Sequence, residues 1–285
     1  MSEQKQYKTE WSFSFDKLGD SFKNLFDSLS GDEEAKMASF SEPVNAATQG
    51  TIDLDFSVGV TTLKALVASD NLIEADVTYV GEIEFATSGA AERRVKMRQK
   101  AGKNVITDSV KRAFGTIANR QDLRWDIRLS PDVPLKLDLD AGVGLVQADF
   151  TGLNLSRLEY DGGVGKTEMI LPASTDGYQA KIDGGVGEVH ITLPAETTAT
   201  VKIEGGVGAI KLMLPANAAV RFHVESGLGS VHMPKHLIQT ASKNEIIEKS
   251  GVWETPGFDQ AAHKMTVHYE GGIGSFHVQS DVTMV

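Results

Sequence analysis

The chain has no cysteine among its 285 residues. Disulfides, thiolate metal sites and cysteine nucleophiles are therefore excluded, and the composition fits a reducing compartment. Proline is scarce, with 8 residues, and aromatic side chains amount to 7%. No stretch approaches the roughly 18 consecutive apolar residues of a membrane span. The polar start Met1–Glu10 offers no secretory apolar core. Those absences predict a soluble, cytoplasmic protein. Hydrolase signatures are missing too: there is no Gly-x-Ser-x-Gly elbow and no His-Glu-x-x-His pair. The sequence is accordingly read as non-enzymatic and without a cofactor, weak Ca2+ or Mg2+ binding apart. A net charge of −11 argues against nucleic acid as a partner.

Glycine, by contrast, is abundant at 28 residues, and its placement is periodic. Asp161-Gly162-Gly163-Val164-Gly165 recurs at Asp183–Gly187 and Glu204–Gly208. Looser copies begin at Asp140, Glu225 and Glu270, and a degenerate one at Asp55. The closing glycines 144, 165, 187, 208 and 229 step by 21 or 22 residues. The phase can be carried forward to Gly251 and Gly274 and back to Gly102, Gly81 and Gly59; only the coil expected near Leu123 lacks its glycine.

Each copy alternates with period two, the signature of a half-buried strand. Before the corner, Val201 and Ile203 alternate with Lys202 and Glu204; after it, Val189, Ile191 and Leu193 alternate with Glu188, His190 and Thr192. Leu-Pro at 171–172, 193–194 and 214–215 then ends the second strand, because proline has no N–H for the ladder. Glycine suits a corner that needs positive φ, and the valine between the glycines is expected to point inward. The pattern predicts an all-β fold: a right-handed single-stranded β-solenoid of about 21-residue Gly-Val-Gly coils. Right-handedness follows from the crossover rule for parallel strands. Ten or so sequential coils would make a rod of roughly 50 Å. A two-sheet sandwich is the rival, and it would need antiparallel partners.

The expected organisation is a flexible stretch at 1–14, an amphipathic helix at 15–30, a linker at 31–49 and the solenoid at 50–285. Phe15, Leu18, Phe22, Leu25, Phe26 and Leu29 form the helix's apolar stripe. Its occupant is a solenoid end, a partner protein or a membrane surface. Residues 235–250 read as a short helix or irregular insertion, and the last coil reads as an uncovered end open to end-to-end association with another copy.

Trp125-Asp-Ile-Arg-Leu-Ser-Pro131, Val133-Pro-Leu and the serial Gly-Val-Gly coils resemble the bacterial toast-rack family. So does the ending, Gly251-Val-Trp-Glu-Thr-Pro-Gly257 through Gly271-Gly-Ile-Gly274. That family takes in adhesin-like domains and the C-terminal domain of LiaF-like proteins that respond to cell-wall-active antibiotics. The resemblance implies a non-catalytic module in envelope stress, surface display or assembly. The N-terminal membrane spans of LiaF-like proteins are replaced in this sequence by a short amphipathic segment, which argues against a membrane-embedded sensor and leaves membrane association to that segment.

Four further candidate sites emerge from the sequence. Asp140, Asp161, Asp183, Glu204 and Glu225 share one repeat position, so stacking would align like charges. Solubility is one reason for such a column, a ladder of weak cation sites another. His190, His232 and His277 each follow a closing glycine by three residues, in a column shared with Gln147, Glu168, Lys211 and Glu254. Two coils separate His190 from His232, too far for one zinc ion. Gly162-Gly-Val-Gly-Lys166-Thr167 imitates the tail of a phosphate-binding loop, but Tyr160 stands where that motif needs glycine. Charge is uneven as well: residues 93–128 carry 11 Lys and Arg against three acids, a net +8 that leaves −19 elsewhere. Within that band Val95 and Met97 should face inward, and Arg94, Lys96 and Arg98 outward, as a solvated face or a docking surface for an acidic partner.

Overall fold

The computed structural model describes residues 35–100, 123–244 and 249–280. The expected helix at 15–30, with Phe15, Leu18, Phe22, Leu25, Phe26 and Leu29, lies outside the described residues, as does the stretch 1–14. Seven strands come first: β1 (Lys36–Pro43), β2 (Gln49–Asp55), β3 (Val58–Ala65), β4 (Asn71–Tyr79), β5 (Glu82–Ser88), β6 (Glu92–Lys100) and β7 (Arg124–Leu129). The glycine repeats supply β8 (Leu135–Asp140), β9 (Val143–Asp149), β10 (Leu155–Asp161), β11 (Val164–Ile170), β12 (Tyr178–Asp183), β13 (Val186–Thr192), β14 (Ala199–Glu204) and β15 (Val207–Leu214). Then follow β16 (Val220–Glu225), β17 (Leu228–His232), β18 (Ile238–Asn244), β19 (Lys249–Glu254), β20 (Met265–Glu270) and β21 (Ile273–Ser280).

These strands form two sheets. The first runs β1-β4-β7-β3-β9-β11-β13-β15-β21-β17, the second β18-β19-β16-β20-β14-β12-β10-β8-β2-β6-β5. Consecutive repeat strands alternate between the sheets, so each glycine corner joins one strand of each into a rung. Neighbouring rungs pair in parallel: Val164 aligns with Val143 on one side and with Val186 on the other. The alternation read from sequence sets which side chains enter the core. Val201 and Ile203 are fully buried, as are Val220 and Phe222, while Lys202 and Glu204 lie outside. Inward residues of both sheets merge into one apolar cluster, into which Trp125, Phe150 and Tyr160 are also packed.

The corners hold the rungs in contact. Val164 donates its N–H to Gly142 O at 2.8 Å, Val186 to Gly163 O at 2.8 Å, and Val207 to Gly185 O at 2.8 Å. The ladder therefore passes through the turn without a break. Gly165 has φ +141, and a Cβ there would lie 2.0 Å from Gly144 O. Positive φ was expected; the near contact between successive backbones adds a second demand for glycine.

Several expectations are corrected. The valine between the glycines points out, not in: Val186 is 48% exposed and Val207 51%. Counting back in twos from buried Ile191 and Val189 reaches Gly187, so glycine takes the inward place and valine the outward one.

The stacking order also departs from chain order. Val58 and Gly59 align directly with Val143 and Gly144, an offset of 85 residues rather than 21. At the far side β20 and β21 insert between β14/β15 and β16/β17. Among the described residues seven glycine-cornered rungs result, not stacked in chain order, and Gly102 lies outside those residues. Gly81 precedes β5, whose partner β6 is antiparallel, and Gly251 sits in β19, antiparallel to β16 and β18, so neither is a coil corner. Where a short helix or irregular insertion was expected at 235–250, residues Ile238–Asn244 form the strand β18, antiparallel to β19. The final coil is interior, because β20 and β21 are paired on both sides and the β18–β19 hairpin extends the second sheet beyond β16. The linker region 31–49 contains β1, which pairs along its whole length with β4. Its signal is weak in sequence because Phe40 is its only large inward apolar side chain.

Candidate functional site

Registry gathers the outward side chains into rows. On the second sheet, the acidic column runs Asp55, Asp140, Asp161, Asp183, Glu204, Glu270 and Glu225. Glu270 separates Glu204 from Glu225, which the sequence order does not reveal. The two ends differ electrostatically. Lys202 bridges Glu204 at 3.1 Å and Glu270 at 3.2 Å, and Lys181 approaches Glu204 at 3.6 Å. These contacts hold the Glu204 carboxyl below its ordinary range, the Lys202 hydrogen bond first among the causes.

At the other end carboxylates face one another. Partial burial, then Asp138, Asp161 and Asp55, push the Asp140 carboxyl up to about 6. Asp138 and Asp55 are raised too, mainly by burial. Among the described residues no cluster of three or more His, Asp or Glu side chains is arranged to hold a metal ion.

The histidines pair differently from the sequence expectation. His232 stacks on His277 with ring centroids 5.0 Å apart, and His223 on His268 at 4.7 Å. The inserted rung brings each pair together. His190 stands apart, aligned with Lys211 and bonded to Glu188 at 3.0 Å. Glu254 is not in this column; it pairs with Arg221 on the other sheet. Burial, aided by His268 and Arg221, lowers the His223 pKa. The phosphate-loop imitation dissolves: Thr167 is buried and bonds Tyr160 Oη at 2.5 Å, while Lys166 bonds Glu168 at 2.5 Å.

In the basic band, Val95 and Met97 are buried and Arg94 is exposed. Lys96 pairs with Asp53 at 2.6 Å, Arg98 lies 3.8 Å from Glu84, and Arg93 Nε bonds buried Glu42 at 2.7 Å. Much of the positive charge here is thus neutralised within the fold. Arg124 and Arg128 pair with Asp126 and Asp76, each at 2.6 Å.

A row that sequence reasoning missed lies on the first sheet. Val58, Val143, Val164, Val186, Val207, Ile273 and Leu228 stand in register across seven strands. Exposure rises from 42% at Val164 to 64% at Leu228. Parity counted from Ile191 would have found it, since two steps back reach Gly187 rather than Val186.

Residues 30–192 match the family described as the N-terminal domain of toast_rack, DUF2154. No curated protein matches the chain. A crystal structure of a "putative cell adhesion protein" from Clostridium sporogenes ATCC 15579 is 18% identical, with TM-score 0.54, covering 87% of this chain and 100% of that one. Another, a "putative adhesin" from Bacteroides fragilis NCTC 9343, is 9% identical with TM-score 0.28, covering 86% and 97%. At these identities the first likeness concerns the fold alone. With more than half its length matched, the chain belongs to the toast-rack family.

Proposed function

We propose that the protein is a non-catalytic structural and interaction module, a scaffold or self-assembling subunit built as a right-handed solenoid. The observation that carries this reading is the repetition of one chemistry along each outer row, acidic on one sheet and apolar on the other. A surface that repeats every strand spacing, roughly 4.8 Å, suits an extended partner better than a small substrate. The adhesin names of the structural neighbours support a surface or adhesion role. The LiaF-like resemblance of the glycine coils supports a place in bacterial envelope-stress biology.

Light scattering of the full chain from low to high salt tests self-assembly. Masses above the monomer at micromolar concentration, falling as salt rises, are expected for contacts between the acidic row and the basic strand of another copy. A monomer in every condition overturns self-assembly and leaves a scaffold for a different protein.

A cation-responsive sensor is the second reading, favoured by the mutual repulsion around Asp140. In that case millimolar calcium raises the thermal midpoint at low salt, and Asp140→Asn with Asp161→Asn removes the rise. A calcium-insensitive midpoint eliminates the sensor.

A further inference from the structure

Single apolar residues on a surface need no explanation, but a continuous row does. The row from Val58 to Leu228 is apolar at every one of its seven positions, and five of these are at least 42% exposed. The corner itself does not demand this. Its hydrogen bonds come from the backbone, and any residue but proline could supply the N–H at these positions. The apolar side chains therefore call for a cover.

We propose that the cover is residues 15–29 of the same chain, laid as a helix along the row and across the strands. Strand β1 begins close to one end of the row. Lys36 pairs with Tyr79, Thr78 with Arg124, and Arg124 with Val60, so β1 starts level with Gly59, beside Val58. Three strand spacings, roughly 14 Å, separate it from the row's first member. Residues 30–35 span up to about 20 Å when extended, enough to deliver Leu29 to that end.

The spacing of the apolar residues in 15–29 matches the row. Phe15, Leu18, Phe22, Leu25 and Leu29 recur at three- and four-residue intervals. On a helix rising ~1.5 Å per residue, that seam presents a side chain every ~5.2 Å. The row presents one every ~4.8 Å. Five seam residues thus meet five row residues with an accumulated mismatch of only about 2 Å. Partly exposed Val60 and Leu145 widen the apolar surface at the β3–β9 end, where the connecting residues would arrive.

The test uses the full-length chain and a Val186→Asp/Val207→Asp variant, whose substitutions lie on the surface and spare the core. Chymotrypsin cleavage after Phe22 and Phe26 should be about tenfold faster in the variant, at a mass in solution equal to that of the wild type. A second measurement guards against misfolding. The chain has no cysteine, so spin labels at Lys23→Cys and Ala209→Cys are unique. A docked helix gives a narrow distance distribution below about 30 Å in the otherwise wild-type protein. Equal cleavage rates together with a broad distribution overturn the proposal. So does a wild-type dimer that the variant dissociates, which assigns the row to a second copy. Protection of Phe22 and Phe26 that appears only with phosphatidylserine vesicles also overturns it, in favour of a membrane surface.

Discussion

At the level of single residues, the strand phase and the acidic row make separable claims. Ile203 is fully buried between two parallel neighbours, Ile182 and Tyr269. Ile203→Asp puts an uncompensated charge into the core and should cost about 4 kcal/mol or more. Lys202, one residue away, lies on the outer face, and Lys202→Gln should leave the thermal midpoint nearly unmoved. A larger loss at Lys202 would show that the phase is wrong. Asp140 tests the acidic row. Its carboxyl is raised in the fold to about 6. Such a group contributes stability below its unfolded pKa, and the contribution is lost as pH rises through the folded value. Because the side chain is largely exposed, the effect is modest. Asp140→Asn should raise the midpoint slightly at pH 7.5 and leave no gain at pH 4. Midpoints of both proteins across that range decide it; a variant less stable at pH 7.5 would mean that the carboxylate is structurally required.

At the level of elements, glycine corners and end rungs behave differently from what sequence alone conveys. Gly165 and Gly152 both have positive φ, +141 and +82. A Cβ at Gly165 would lie 2.0 Å from a backbone oxygen, whereas one at Gly152 meets nothing within 4 Å. Gly152→Ala should therefore cost only the conformational term, about 1–2 kcal/mol. Gly165→Ala adds backbone displacement and should cost about 3 kcal/mol or more. Equal losses by denaturant titration would refute the close-approach argument. The strand phase, the corner glycines and the inward residues were legible in the sequence because they depend on parity and local φ. The outward valines were also encoded by parity, yet obscured by treating the corner as a free turn rather than a continuation of the ladder. Ladder order was not legible, since any rung can pair with any other of matching pattern. The histidine pairs follow from that hidden order. Burial lowers the His223 pKa, so its stability contribution is present above the unfolded value near 6.5 and is lost as pH falls through the lower folded value. Protection factors of the β16 amides, taken against the intrinsic exchange rate at each pH, should fall on acidification from pH 7 towards 5, while those of β8, carrying Asp140, should not. A uniform fall in protection across both strands would assign the change to global unfolding.

For the whole molecule, the inserted rung alters how the parts depend on one another. In a repeat protein stacked in chain order, removing the last rung shortens the stack and leaves the remainder folded. Here β20 is bonded to β14 on one side and β16 on the other, and β21 to β15 and β17. The last two strands in sequence are thus the bridge between the repeats at 135–214 and the end unit at 220–254. Ending the chain after Lys264 deletes that bridge without touching either neighbour. It opens two ladders at once and uncovers the inner faces of Ile203, Leu212 and Phe222, all fully or almost fully buried in the intact fold. The expected outcome is that β16–β19 lose their amide protection while β8–β13 keep much of theirs, because the latter retain rungs on both sides. Persistent protection of β16–β19 in the truncated chain would mean that β16 docks directly on β14, whose pattern of alternate inward apolar residues it shares. The end unit would then be a rung held out of place by the insertion rather than one that depends on it.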